Sequence, residues 1–340
     1  MYKASQGVRM VVISNRLNLP IRLRRNRQTE ALRNLVRETE LHPSDLIAPL
    51  FLIEGVNQKS AISSMPGIER LSIDLAVKHA AMLHERGIQA VAIFPYIDRS
   101  LRTLNGEEAW NATGLISKAI RELKKTVPSL CVIADVALDP YTSHGHDGLA
   151  DEEGNILNDE TIECLIRMAL CQAANGVDLV APSDMMDGRV RAIREALDKE
   201  GYEKVGILAY SVKYASSLYS PFRDALGSRL SFGDKRTYQM DPANIREALL
   251  EAALDEEEGA DILMVKPASL YLDVIAKLKQ QTNRPIAAYH VSGEYAMVMA
   301  AHQMGWLDAD KVFYETLLGI KRAGADMILT YAAKQVLDLM

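Results

Sequence analysis

Beyond residue 40 the chain alternates two patterns: short unbroken apolar runs, and longer stretches in which apolar residues recur every three or four positions. A short apolar run marks a strand covered on both faces, and a period near 3.6 marks an amphipathic helix. Strands are therefore expected at 46–54, 90–97, 131–139, 179–184, 206–213, 262–267, 285–292 and 327–332. Helices are expected at 72–86, 108–125, 159–175, 188–199, 241–257, 269–279, 293–305 and 308–322. Gly87, Gly176, Gly259 and Gly324 stand between a helix and the next strand, where a helix C-cap needs glycine. Eight β-α units point to a (β/α)8 TIM barrel over residues 41–340, with residues 1–40 as an extended N-terminal arm. No G-x-G-x-x-G follows the first strand, which argues against a doubly wound dinucleotide-binding sheet.

In such a barrel, chemistry sits at the C-terminal ends of the strands. Those ends carry Asp135 and Asp139, Ser183 and Asp184, Lys213, Lys266, His290 and Ser292, and Thr330 and Tyr331. The two lysines are the most informative. Each closes an apolar run, Gly206-Ile-Leu-Ala-Tyr-Ser-Val-Lys213 and Ile262-Leu-Met-Val-Lys266. Neighbouring strands lie about 5 Å apart, so both amines would face one pocket. Burial and mutual repulsion lower a lysine pKa, and a neutral amine is what imine formation with a ketone or aldehyde requires. The competing reading is that each amine simply snorkels to the barrel rim.

The composition excludes more than it selects. At 48% hydrophobic and 25% charged, the chain suits a large globular core and not a disordered or disulfide-stapled one. The net charge of −6 hides an asymmetry: residues 1–40 carry nine Lys/Arg against three Glu, leaving −12 on the remainder. A basic arm suits nucleic acid or a subunit contact. With Tyr2 its only aromatic and no nucleic-acid motif following, subunit contact is the better reading. Cys131, Cys164 and Cys171 form no C-x-x-C, consistent with a reducing cytoplasm. No signal peptide or membrane-length apolar run is expected.

Two loops carry further chemistry. Asp135-Val-Ala-Leu-Asp139-Pro-Tyr-Thr-Ser-His144-Gly-His146-Asp147-Gly148 offers carboxylates and imidazoles to a divalent ion, magnesium rather than zinc, or else uses Asp and Gly only for turns. The 219–239 segment is long for a β-α loop. It reads as a lid whose Arg223, Lys235 and Arg236 suit a carboxylate substrate, or as a plain solvated loop. Asp255–Glu258 is a solvated acidic face, and Glu251 one turn earlier is ambiguous.

At these residues the chain resembles the porphobilinogen synthase (5-aminolevulinate dehydratase) family. The matching stretches include Asp135–Gly148, Ala181-Pro-Ser-Asp-Met-Met-Asp-Gly188, Tyr210-Ser-Val-Lys-Tyr-Ala-Ser216, Pro221-Phe-Arg-Asp224, Met264-Val-Lys-Pro267 and His290-Val-Ser-Gly-Glu294. Arg24-Arg-Asn-Arg27 in the arm and Met65-Pro-Gly-Ile-Glu-Arg70 match as well. The resemblance implies condensation of two 5-aminolevulinate molecules to porphobilinogen with loss of two waters, in tetrapyrrole (heme) biosynthesis. It implies imines on Lys266 in the propionate-side site and on Lys213 in the acetate-side site. Ser292 and Tyr331 match ligands of one substrate carboxylate, and Arg223, Lys235 and Gln239 those of the other. Asp135 and Ser183 match proton-transfer groups. Where zinc-using relatives carry three cysteines, this chain has Ala137, Asp139 and Asp147, so no catalytic zinc is expected. The resemblance is to the aspartate-rich magnesium type. It implies an allosteric Mg²⁺ between subunits, with Glu251 matching its carboxylate ligand and Asp184 a second candidate. Asp139 and Asp147 either bind an ion or hydrogen-bond the lid or the substrate amine. A homo-octamer built from dimers is implied, with the arm on a neighbouring barrel.

Three rivals predict different outcomes. An imine-forming aldolase needs one lysine and would not turn over 5-aminolevulinate. A non-catalytic scaffold would have lost a site residue. A metal hydrolase would depend on Asp139 or His144 and not on Lys266.

Overall fold

The computed structural model describes residues 19–340; the arm up to residue 18, with Lys3, Arg9 and Arg16, lies outside the described residues. The chain divides into two units, one ending at Glu40 and one spanning Leu41–Met340. The described part of the first unit holds a 3-10 turn (Leu23–Arg27) and a short helix α1 (Glu30–Leu35), capped by Thr29, whose Oγ1 accepts from Leu32 N at 3.2 Å. Ile21, Leu23 and Leu35 are exposed on it.

The second unit is a closed parallel barrel. Its strands are β1 (Leu46–Ile53), β2 (Ala90–Pro95), β3 (Cys131–Val136), β4 (Leu179–Pro182), β5 (Gly206–Lys213), β6 (Ile262–Lys266), β7 (Ile286–His290) and β8 (Met327–Thr330). Each pairs with the next, and β8 pairs with β1 through Leu46↔Ile328 and Ile47↔Leu329 to close the ring. Helices α2 (Ile73–Glu85), α3 (Leu115–Thr126), α4 (Asn158–Ala174) and α5 (Arg189–Lys199) surround it in chain order. They are followed by α6 (Ser220–Leu226), α7 (Arg246–Glu257), α8 (Leu272–Lys279), α9 (Ser292–Gln303), α10 (Ala309–Ala323) and α11 (Ala333–Val336). No helix among the described residues is long and apolar enough to cross a membrane.

The eight expected strands are the eight barrel strands, and the four expected cap glycines all have positive φ. Differences lie at the ends. The ladders at β3, β4 and β7 stop before Asp139, Asp184 and Ser292, so Asp139 and Asp184 stand on loops just above the barrel and Ser292 opens α9. Helix α3 starts at Leu115 and not at 108, because Asn111 Oδ1 accepts from Thr113 N at 2.9 Å and holds a turn. Asp241 delays α7 in the same way, accepting from Ala243 N at 2.9 Å. The 219–239 segment is not all loop: α6 forms inside it, with Pro221 in its first turn. A short strand, Glu69–Ser72, also inserts after β1 and pairs with it in parallel.

Candidate active site

The register between β5 and β6 decides what the site contains. Leu263 pairs with Ala209, but Val265 pairs with Val212, so β5 spends one extra residue between those points. Beyond this bulge Lys266 pairs with Lys213. Without it, Lys266 would stand opposite Val212 and Lys213 would turn to the other face, since side chains alternate along a strand. The bulge therefore puts both amines on one cavity.

That cavity is lined by Asp135, Asp139, Asp147, Ser183, Lys213, Tyr219, Phe222, Arg223, Lys235, Gln239 and Lys266. Its free volume is about 20 Å³, room for one water. The 219–239 segment thus covers the site, and any ligand larger than a water requires it to open or its side chains to move.

Lys266 is buried among four rings. Its Nζ lies 4.6 Å from the centroid of Tyr289, 5.0 Å from Tyr210, and 5.1 Å from both Tyr219 and Phe222. Burial, and next the charge of Lys213, pull its ammonium down to about 7, against the opposing fields of Asp135, Asp147 and Asp139. Asp135 mirrors it: burial and Asp139 push the carboxyl up to about 7, against Ser183, Lys266 and Lys213. Both groups change charge near neutrality, which suits chemistry by an amine or proton transfer by a carboxyl. Lys213 is set differently. Its Nζ donates to the Ser183 carbonyl oxygen, and Asp147 Oδ2 lies 3.8 Å away.

The Asp/His loop after β3 docks the lid. Lys235 Nζ lies 3.1 Å from Asp147 Oδ1 and 3.5 Å from Asp139 Oδ2, and Ser228 Oγ donates to Asp139 Oδ2 at 3.2 Å. His146 bonds the lid through Nδ1 to Tyr238 OH at 3.0 Å and through Nε2 to Phe232 O at 3.1 Å. Ser231 N donates to His144 O at 3.0 Å. Burial pushes Asp147 up, but Lys213 and Lys235 outweigh it and hold the carboxyl below its ordinary range. Burial likewise pulls Lys235 down, and Asp139 and Asp147 reverse it, so its ammonium is held above the usual lysine value.

Ser292 and Tyr331 are not in the cavity wall. Ser292 Oγ accepts from Phe222 N at 3.0 Å, and Tyr331 OH bonds Tyr289 OH at 2.7 Å while its ring stacks on Phe51, which in turn packs on Phe222. Both therefore reach the Lys266 chamber through Phe222 and Tyr289. Gln239 lies in the wall with a buried Oε1 that has no hydrogen-bond partner among the described residues.

The metal candidates divide. Glu251 lines a separate cavity of about 480 Å³ with Asp187, Glu247, Asn155 and Asn158. Burial lifts its carboxyl to about 7, eased by Arg189 and reinforced by Asp255, Asp187 and Glu247. The carboxylates of Asp187, Glu247 and Glu251 offer the oxygen donors a hydrated magnesium ion takes, and Arg236 with Ile156, Met185, Met186 and Met240 completes the wall. Asp184 is absent from that wall. It is fully buried, accepts from Met186 N at 2.7 Å, and lies 3.8 Å from Arg189, which is itself bidentate to Asp255. Asp255 is therefore buried on that ion pair and not part of the solvated face expected for 255–258. Among the described residues no three His, Cys, Asp or Glu side chains converge as ligands of one ion. The donors at positions 137, 139 and 147 do not fit zinc: alanine offers none, and both carboxylates grip Lys235.

Pattern reading did not single out the ring cage or Arg189. Tyr210 and Tyr289 are apolar-run residues by pattern, and neither run marks its tyrosine as the neighbour of an amine.

Comparison with known proteins gives the family and the fold. The family model described as delta-aminolevulinic acid dehydratase matches residues 20–339. A relative named delta-aminolevulinic acid dehydratase from Chlamydia pneumoniae is 54% identical over 324 residues, covering 95% of this chain and 97% of its own. One of the same name from Bradyrhizobium diazoefficiens is 55% identical over 323 residues, covering 95% and 91%. The crystal structure of delta-aminolevulinic acid dehydratase (porphobilinogen synthase) from Toxoplasma gondii, in complex with the reaction product porphobilinogen, superposes with a TM-score of 0.93 at 50% identity, covering 95% of this chain and 92% of that one. The chain belongs to the delta-aminolevulinic acid dehydratase (porphobilinogen synthase) family of enzymes.

Proposed function

We propose that the enzyme condenses two molecules of 5-aminolevulinate to porphobilinogen through imines on Lys266 and Lys213. The observation that carries this is a buried lysine poised at about 7, in register with a second lysine on the adjacent strand. Each ketone condenses with an amine and releases one water, accounting for the two waters lost. Imine formation acidifies the neighbouring C–H bond. Loss of that proton gives an enamine carbon, which attacks the imine carbon of the other substrate and makes the C–C bond. The free amine of one substrate then displaces a lysine from the other's imine carbon, making the C–N bond and returning that lysine. Elimination frees the second. Asp135, titrating near neutrality beside both amines, takes and returns the protons with the Ser183 hydroxyl beside it. Arg223, Lys235 and Gln239 hold one substrate carboxylate, and Ser292 and Tyr331 the other. Lys235 offers a point charge where an arginine would offer a fork.

In the same reading Glu251 would hold an allosteric Mg²⁺, which would supply compensating positive charge in that cavity, apart from the bond-making steps. The basic arm packs on a neighbouring barrel in an octamer of dimers, consistent with the apolar side chains it exposes.

The test is borohydride reduction of enzyme mixed with 5-aminolevulinate, followed by peptide mass mapping. An adduct on Lys266, with or without one on Lys213, supports the reading. Substrate binding with neither lysine modified rules it out.

A further inference from the structure

The Met65-Pro-Gly-Ile-Glu-Arg70 motif takes no part in the chemistry above, yet its arginine is tied to the lid. Arg70 lies on the strand Glu69–Ser72, opposite Phe51 of β1. Its Nε donates to Ala225 O at 2.6 Å and its Nη2 to Asp224 O at 2.7 Å. Arg102, in the segment after β2, donates through Nη1 to Gly227 O at 2.7 Å and through Nη2 to Leu226 O at 3.0 Å. Its Nε and Nη2 also hold Ile97 O, at 3.0 and 2.7 Å. The four successive carbonyls at the end of α6 therefore all terminate on two guanidinium groups. Both groups pack on the Tyr96 ring, with Cζ 4.8 Å from its centroid for Arg70 and 5.9 Å for Arg102. Ser64 Oγ adds a 2.6 Å bond to Asp224 Oδ2. Gly227 is at φ +64°, and a Cβ there would come within 2.9 Å of the Tyr96 ring, so this approach needs glycine twice over.

A helix as short as α6 does not hold itself: Gly227 N caps Arg223 O and Asp224 O, and the carbonyls that follow are left to partners outside the helix. Cations at a helix C-terminus stabilise it. This helix carries Phe222 over Lys266 and Arg223 into the cavity wall. We propose that Arg70 and Arg102, clasped on Tyr96, are positioning residues that fix α6, so that Arg223 meets the substrate carboxylate and Phe222 closes the Lys266 chamber. This rests on the role given to Arg223 above.

The test uses full-length Arg70→Ala, Arg102→Ala and Arg102→Lys enzymes. Hydrogen–deuterium exchange without substrate is read first, then KM and kcat. Exchange across 220–240 is expected to rise on the order of tenfold while the barrel strands keep their protection. KM is expected to rise about tenfold with kcat falling about threefold or less, because a loosened clamp weakens binding more than chemistry. Lysine at 102 restores only part, since an ammonium lacks the two-carbonyl fork. Should the alanine variants fail to fold, Tyr96→Leu and Arg102→Lys carry the same two readouts. Unchanged exchange across 220–240 overturns the clamp whatever the substrate proves to be. Loosened exchange with unchanged KM overturns its link to Arg223. Exchange raised equally in every barrel strand reduces the arginines to general stabilisers and also overturns it.

Discussion

Lys266 and Lys235 share one cavity, each 6% exposed, and their ammonium groups are pushed in opposite directions. Burial is common to both, so it does not explain the difference. Lys266 is surrounded by ring carbons with another ammonium nearby, whereas Lys235 touches two carboxylates. At equal burial, the contacting partners decide whether a lysine is a nucleophile or a fixed cation.

The comparison breaks most plainly by deleting each amine in turn. Lys266→Met should cost at least about 10³-fold in kcat/KM, because the imine step proposed above would be gone. Its effect on stability should be slight, since an apolar chain of similar length fills an aromatic cage. Lys235→Met should do the reverse in stability terms. It leaves Asp139 and Asp147 buried with much less compensation and should cost about 3 kcal/mol or more. Urea titration beside steady-state assays separates the two. Equal stability losses would remove the contrast.

A second contrast is in pH dependence. The folded-state pKa of Lys266 lies below its ordinary value, so between about pH 7 and 10.5 the unfolded chain binds the extra proton and stability rises with pH. Lys235 has the opposite sign: its stabilisation is complete below the ordinary lysine value and is lost as pH rises through its raised one. Comparing wild type with Lys266→Met at pH 7 and 9 should show the wild type gaining up to about 1.4 kcal/mol per pH unit relative to the variant. Amine reactivity should rise through about pH 7, and Lys213→Met should move that midpoint upward, because the charge of Lys213 helps to depress it. A midpoint unmoved or lowered in Lys213→Met would mean the two amines do not sense each other.

The strands and the two lysines were legible in the sequence because buried parallel strands leave an unbroken apolar run, and a charge at the end of such a run stands out. What pairs the lysines was not. A run of Gly206 to Lys213 shows no sign of a bulge, and alternation alone would have put one amine on the wrong face. The partners of Lys235 lie 88 and 96 residues away, a separation that spacing rules do not reach. Helix α6 was hidden because its seven residues, opening Ser-Pro, read as turn chemistry; its carbonyls are held by Arg70 and Arg102, about 125 to 155 positions away.

The smallest effect tests whether the Lys235 side depends on its docking loop or only on its ion pairs. Tyr238 OH bonds His146 Nδ1 at 3.0 Å and accepts from Asp147 N at 3.4 Å, tying the lid to the loop that carries the carboxylates. Burial, with His146 next and Lys235 also contributing, holds the His144 imidazole below its ordinary pKa, and burial does the same for His146, so the loop adds little positive charge of its own. Tyr238→Phe removes one hydroxyl and keeps the ring. The expected cost is about 1 kcal/mol of lid order, visible as faster exchange at 230–240, with the Lys266 adduct still formed. If the hydroxyl were only packing, exchange would not change. If the adduct disappeared, the lid's docking and the Lys266 side of the cavity would be one unit and the contrast between the two lysines would fall.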